Sequence, residues 1–329
     1  VCSSDLIQSQ LNFSRDMERE ADRVGYGVMT EAGYEPQGFV TMFEKLQQAA
    51  RLNDNGSFPY LRSHPMTTER ISDAQARQQL LPMRSAVATT PVHAMMSARA
   101  QVMAKPGVDV LRSIAAQATT TGLGGETKAK QAGVLYGAVL AEIQQRNFVM
   151  ARQHLGRLQS LSGLELNASR VTRLLAAELA LAAGDAAQAV ALLEPKAMVI
   201  ASHDRATRMQ LARSRIGTQK SAQSKLAASE LSLWLTAHPR DASAWLLQAS
   251  AYELEGDALR AIRAQAEARA MELDYGAAVD RFKAAQTLAH QLASEGKLDR
   301  AGHMEASIID ARLRELERLR REQALERGI

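Results

Sequence analysis

The chain has 329 residues, with 40 Lys plus Arg against 36 Asp plus Glu, and the resulting charge of +4 is too thin an excess to point to nucleic acid. Apolar residues make up 46% and charged ones 23%, which excludes a wholly disordered chain and leaves room for roughly two domains with real cores. Aromatics are only 4% while alanine is abundant, so sandwiches and barrels are disfavoured and an all-α protein is expected; the single Cys2 excludes an internal disulfide or a thiolate metal site.

The first predicted helix runs from Ser14, a good N-cap, to about Ala32, with Met17, Ala21, Val24 and Val28 at helical spacing. Gly33 ends it. A second helix from Pro36 places Phe39, Phe43, Leu46 and Ala50 on one face, and Asn53-Asp-Asn-Gly56 breaks the pattern. A loop, Pro59-Tyr-Leu-Arg-Ser-His-Pro65, precedes a third helix that starts at Thr67 or Thr68 and continues through Ile71 and Ala74 to about Leu80. Helical patterns follow around 92–103 and 108–118, and a Thr/Gly cluster from Thr119 to Thr127 reads as a linker. The chain opens at Val1 with no charged segment leading into an apolar one, and no run approaches the roughly 18 apolar residues of a membrane span. Val1 therefore carries the expectation that upstream sequence, with a targeting signal, is missing.

Beyond residue 130 the pattern becomes a repeat. Trp245, Ala249, Tyr252, Gly256, Ala261 and Ala268 align with Leu211, Arg215, Thr218, Ala222, Ala227 and Trp234 at an offset of 34 residues, with the junction His238-Pro239-Arg-Asp241 between them. This spacing, with an aromatic, small residues, a Tyr, a turn Gly and a Pro, resembles the tetratricopeptide repeat over roughly 133–273. In such a repeat Trp245, Tyr252, Gly256 and Ala261 serve packing: small residues let paired helices approach, and stacked pairs bury faces that one repeat would expose. The alternative is an irregular Ala-rich bundle. A last amphipathic helix, about Ala301 to Arg327, turns Ile309, Leu313, Leu316 and Leu319 inward, and its Arg-Glu mixture reads as a solvated face.

On the first helix Glu18 and Asp22 lie one turn apart at one border of the apolar stripe, beside Gly25. Such a pair suits a metal ligand with an acidic partner behind it, although most pairs at this spacing merely face solvent. Gly25 and Gly27 inside a helix each cost up to about 1 kcal/mol, which favours a packing or site reason for them. His64, between Ser63 and Pro65, either caps the helix at Thr67 and packs locally, or carries an imidazole able to reach a metal or substrate.

Three ordered motifs then carry a family resemblance: Ser14-Arg-Asp-Met-Glu18-Arg-Glu-Ala-Asp22-Arg-Val-Gly25, Ala32-Gly-Tyr-Glu-Pro36, and Ser63-His-Pro65-Met-Thr-Thr-Glu-Arg70-Ile71. Together they resemble the C-terminal half of the catalytic domain of metallopeptidase family 48, and the added repeats resemble a periplasmic subgroup of Gram-negative bacteria. The resemblance implies a zincin-type fold and one Zn2+ per complete protein, held by two His of a His-Glu-x-x-His helix and a downstream Glu. It makes Glu18 that third ligand and Asp22 its acidic partner; His64 matches a His-Pro motif of the family and stays open between a local cap and a fourth zinc ligand or substrate contact, with Arg70 expected to support its loop through a carboxylate. Glu20 is left on the surface.

None of the seven His begins a His-Glu-x-x-His, so no catalytic residue stands in this chain, the general base is expected upstream, and the chain as given is expected to be inactive. The implied organisation is a metalloprotease part over 1–80, a helical linker over 81–130, tetratricopeptide-like repeats over 131–275 and capping helices over 276–329. The implied function is zinc-dependent hydrolysis of misfolded outer-membrane proteins in the periplasm, with the repeats engaging the assembly machinery and with neither nucleic acid nor a transmembrane segment involved. The rival is a non-catalytic repeat scaffold or chaperone-like interaction protein.

Overall fold

Alanine and straight-chain residues dominate, and the backbone follows their preference: among the described residues there are fifteen α-helices and no strand, as the all-α expectation requires. The computed structural model describes residues 3–50, 67–79, 88–119, 123–161, 165–200 and 204–326. They fall into two compact units, Val1–Thr89 and Thr90–Ile329.

The first unit contains α1 (Ser3–Glu31), α2 (Gln37–Ala50) and α3 (Thr67–Gln79). Helix α1 starts well before Ser14, which is an interior residue and not the cap; between Ser3 and Phe13 no Gly or Pro interrupts propagation. Its end is as expected. Gly33 has φ 84° and the following Tyr34 N–H bonds back to the Met29 carbonyl, a Schellman closure that needs a left-handed residue. Tyr26, Val40, Phe43 and Ala74 are buried, and Phe39 meets both Tyr26 and Phe43 edge-on at centroid distances of 5.5 and 5.1 Å.

Two expectations fail in this unit. Met17, Val24 and Val28 on α1 and Leu46 on α2 are about half exposed or more, because the core forms on the neighbouring face around Tyr26 and Phe43. Nor do Gly25 and Gly27 mark a close helix approach: among the described residues nothing lies within 4 Å of where their Cβ atoms would stand.

The second unit opens with α4 (Pro91–Met103) and α5 (Val108–Gln117), both packed on α6, and continues as helix pairs: α6 (Lys128–Gln144) with α7 (Phe148–Gln159), and α8 (Leu166–Ala182) with α9 (Ala186–Ile200). There follow α10 (Arg205–Gly217) with α11 (Ser221–Ala237), α12 (Ala242–Glu255) with α13 (Ala258–Met271), and α14 (Tyr275–Ser294) with α15 (Arg300–Glu326). A left-handed residue closes the turn between α4 and α5, Lys105, and the turn inside each of the five pairs: Arg146, Gly184, Gln219, Gly256 and Gly296. After three of these, Asn147, Asp185 or Asp257 accepts a hydrogen bond from the first-turn N–H of the next helix, so turn and cap come as one dipeptide. The structural register differs from the 34-residue alignment. Gln219, not Ala222, occupies the place of Gly256, and Ala222 lies in the first turn of α11. Backbone conformation fixes the register, and Gln219 adopts the turn without the glycine that would have marked it.

The segment read as a helical linker supplies Met95, Val102, Leu111 and Ala115 to a core completed by α6, α7 and α8. Helix α4 lies hard against α6, for a Cβ at Gly133 would meet Ala94 at 3.0 Å. Farther on, Trp245 and Tyr252 are half-buried against a core containing Met209, Leu231 and Trp234, and Ala261 is buried. Helix α15 turns Ile309, Leu313 and Leu316 inward as expected, with Leu319 packed beside them.

Candidate functional site

The acidic pair of α1 finds its partner on α3. Helical geometry puts Glu18 and Asp22 one turn apart on one face, and α3 brings Arg70 to both. The Arg70 guanidinium donates from Nε to Asp22 Oδ2 and from Nη2 to Asp22 Oδ1, each at 2.7 Å, and its Nη1 lies 3.3 Å from Glu18 Oε2. Below it, Arg70 Cζ stands 4.3 Å from the centroid of the buried Phe43 ring. A planar fork on a carboxylate with an aromatic face beneath is an arrangement that lysine cannot reproduce.

Its electrostatics follow from those contacts. The hydrogen bonds from Arg70 to Asp22, aided by the charges of Asp22 and Glu18, raise the Arg70 pKa above the usual arginine value against an opposing effect of burial. All three side chains are about a quarter exposed or less, so water screens them only in part. Glu20 points elsewhere and binds Arg23, as expected of a surface residue. Arg19 reaches Glu69 on α3 at 3.5 Å, a second tie between the same two helices.

The structure brings Glu18, Asp22 and Arg70 together. It does so by pairing Arg70 with the acidic residues themselves. His64 and the loop 60–66 lie outside the described residues. Phe43 as the shelf under Arg70 escapes a sequence reading, because its helical position marks only a core residue.

Zinc in a peptidase is held by three protein ligands and a water. Among the described residues no group of three His, Cys, Asp or Glu side chains is placed to hold a metal ion. The described residues therefore do not make a zinc site by themselves.

The helix that carries Glu-x-x-Ala-Asp, and the arginine closed over its acids, lie inside residues 2–78, which match the model of peptidase family M48. The match bears out the resemblance to that family. The chain is also homologous to beta-barrel assembly-enhancing proteases. That of Escherichia coli (strain K12) is 36% identical over 77 residues, which are 23% of this chain and 16% of the relative. The similarity to the Yersinia pestis protein runs at 27% identity over 315 residues, 95% of this chain and 59% of the relative. A putative beta-barrel assembly-enhancing protease of Vibrio cholerae is 31% identical over 104 residues, 31% of this chain and 21% of that protein. The chain thus spans about three-fifths or less of the length of these relatives.

Proposed function

We propose that this chain is part of a zinc metalloendopeptidase of the periplasm that acts on misfolded outer-membrane proteins and assists their assembly. The observation that carries the reading is the Glu18, Asp22 and Arg70 cluster lying inside the segment that matches peptidase family M48. In this reading Glu18 is one zinc ligand and Asp22 orients an imidazole ligand. The two zinc His and the general base belong to a His-Glu-x-x-His helix, which the 329 residues lack. Bound zinc supplies a Lewis acid and an activated water, whereas this chain's own contribution is to hold the carboxylate of Glu18 in place through Arg70. The second unit is a tetratricopeptide-like array whose helix pairs hold a protein partner, either the substrate or the outer-membrane assembly machinery. That the described residues contain no helix long and apolar enough to cross a membrane is compatible with this setting.

The test is proteolysis with metal content measured in parallel. The 329-residue chain leaves casein intact and retains no stoichiometric zinc. In the complete protein, Glu18→Gln abolishes hydrolysis and lowers zinc content, while Glu20→Gln is nearly silent. Equal effects of the two substitutions, or chelator-sensitive cleavage by the 329-residue chain, refute the assignment.

The absence of His-Glu-x-x-His from this sequence supports a second reading, a non-catalytic repeat scaffold. It requires that the complete protein bind its partner and never cleave casein.

A further inference from the structure

The positive charge of this chain is concentrated in one stretch. Residues 90–160 hold eight Lys plus Arg against three Asp plus Glu, whereas the rest of the chain is balanced at 32 against 33. Within the stretch Arg99 is paired with Glu178, Arg112 with Asp109 and Lys130 with Glu126, while Arg157 donates to the Ala118 carbonyl. Lys105, Lys128, Arg146 and Arg152 are exposed and have no partner among the described residues.

Three of these four cations gather around two neighbouring turns. Helices α4 and α6 run parallel: Ala94 stands against Gly133, Ala98 against Gly137, and the Val102 carbonyl accepts from Gln144 Nε2 at 3.2 Å. The turns that follow them, 104–107 and 145–147, therefore lie side by side, with Lys105 in one and Arg146 in the other. Arg152 stands one turn along α7 from Val149, on the same exposed face.

Apolar side chains stand among them. Met103, Val108 and Val149 are 43, 54 and 64% exposed at the same two turns. Of the three acids in the stretch, Glu142 is buried in α6, and Asp109 and Glu126 are already paired. Cations without counter-charges favour an anionic partner, and the apolar groups beside them favour one with an apolar interior. A stable interface with a folded protein takes roughly 20–30 residues a side, far more than two turns supply. A bilayer demands no complementary shape, since its headgroups meet the charges while the apolar side chains enter the headgroup boundary.

We propose that the turns after α4 and α6 dock this protein on an anionic phospholipid surface. Lys105, Arg146 and Arg152 meet the phosphates, and Met103, Val108 and Val149 enter between the headgroups. Each basic residue near such a surface strengthens binding about fivefold, so three make the contact on the order of a hundredfold tighter than to a neutral bilayer, and salt weakens it. The proposal is independent of the peptidase reading, because it uses residues of the second unit alone.

The experiment is cosedimentation of the 329-residue chain with vesicles of equal parts phosphatidylglycerol and phosphatidylcholine, beside vesicles of phosphatidylcholine alone. The chain is expected to bind the anionic vesicles at low salt, to bind the neutral ones at least about tenfold more weakly, and to leave the anionic ones in about 0.5 M NaCl. Lys105→Gln combined with Arg146→Gln weakens binding at least about tenfold with far-ultraviolet circular dichroism unchanged. Lys128→Gln, the same loss of charge at the opposite end of α6, leaves the double variant's effect unmatched. Val149→Trp adds an emission that shifts to the blue on anionic vesicles, which reports entry of that side chain. Absence of binding, equal binding to both vesicles, or an equal loss in Lys128→Gln overturns the proposal. A chain that sediments as a dimer, and that Val149→Ser dissociates, overturns it by giving the two turns to a second copy.

Discussion

Arg70 closes on Asp22 with two hydrogen bonds of 2.7 Å across 48 residues of chain. The same guanidinium sits within 3.3 Å of Glu18 and over the ring of Phe43, so one side chain of α3 fixes the acidic face of α1 against the aromatic core. Replacing it removes a bidentate pair and exposes two like charges one turn apart. Arg70→Ala should cost on the order of 1–2 kcal/mol, and Arg70→Lys should recover less than half of that, since an ammonium cannot make the fork. Amide hydrogen exchange in α1 and α3 measures it: a loss of about 1.4 kcal/mol is a tenfold fall in protection. Full rescue by Lys would contradict the geometry.

Asp241 performs a comparable task in the second unit. Its carboxylate accepts two hydrogen bonds of 2.7 Å from Arg205 and one of 2.9 Å from the Trp234 indole, and it caps α12 at Ala244. These bonds, those of Arg205 foremost, hold its pKa at about 2. A folded-state pKa below the unfolded value of about 3.9 means that the stabilisation is present above pH 4 and is lost as the pH falls towards 2. Asp241→Asn should cost about 1 kcal/mol at pH 7, an amount limited by the half-exposed Arg205, and should flatten the acid limb of the unfolding curve. Trp234 fluorescence during urea unfolding at pH 2.5 and pH 6 reports both effects.

His154 on α7 also makes stability fall on acidification, but through burial without a partner. It is buried, and neither ring nitrogen has a hydrogen-bond partner among the described residues. Burial lowers its pKa, with Arg157 adding to the effect and Glu142 opposing it. The unfolded chain then takes up the proton first, so stability is whole above the ordinary histidine pKa of about 6.5 and declines as the solution is acidified below it. His154→Leu should leave the chain at least as stable at pH 7.5 and remove this decline. A melting temperature that still falls equally between pH 7.5 and 5.5 in the variant would assign the decline to other groups.

The turns between paired helices give a prediction of sign. Gly256 has φ 75°, where a Cβ costs roughly 1–2 kcal/mol, so Gly256→Ala should lower stability by about that amount. Gln219 takes the same turn at φ 57° with a Cβ in place. Gln219→Gly should therefore raise stability by up to about 1 kcal/mol, after the greater freedom of glycine in the unfolded chain is subtracted. Thermal unfolding of both variants beside the unaltered chain is sufficient. A fall in both would mean that Gln219 contributes a contact worth more than its strain.

Fold class was readable from the sequence because it depends on local quantities: abundant alanine, few aromatics, Gly33 as a stop and a 3-to-4-residue apolar spacing along α15. The acidic pair was readable for the same reason, since Glu18 and Asp22 share a helix and their relation is set by its pitch. Other features depend on which surfaces meet. The apolar stripe of Met17, Val24 and Val28 looks like a core face, yet in the first unit the core closes on Tyr26 and Phe43, as only packing among α1, α2 and α3 can decide. The repeat register shifted because Gln219 holds a left-handed turn that its side chain does not announce. Arg70 shows the division most clearly: its motif could be quoted from the sequence, but its grip on Asp22 is a contact across 48 residues, and hydrogen bonds of that kind exist only after two helices have docked.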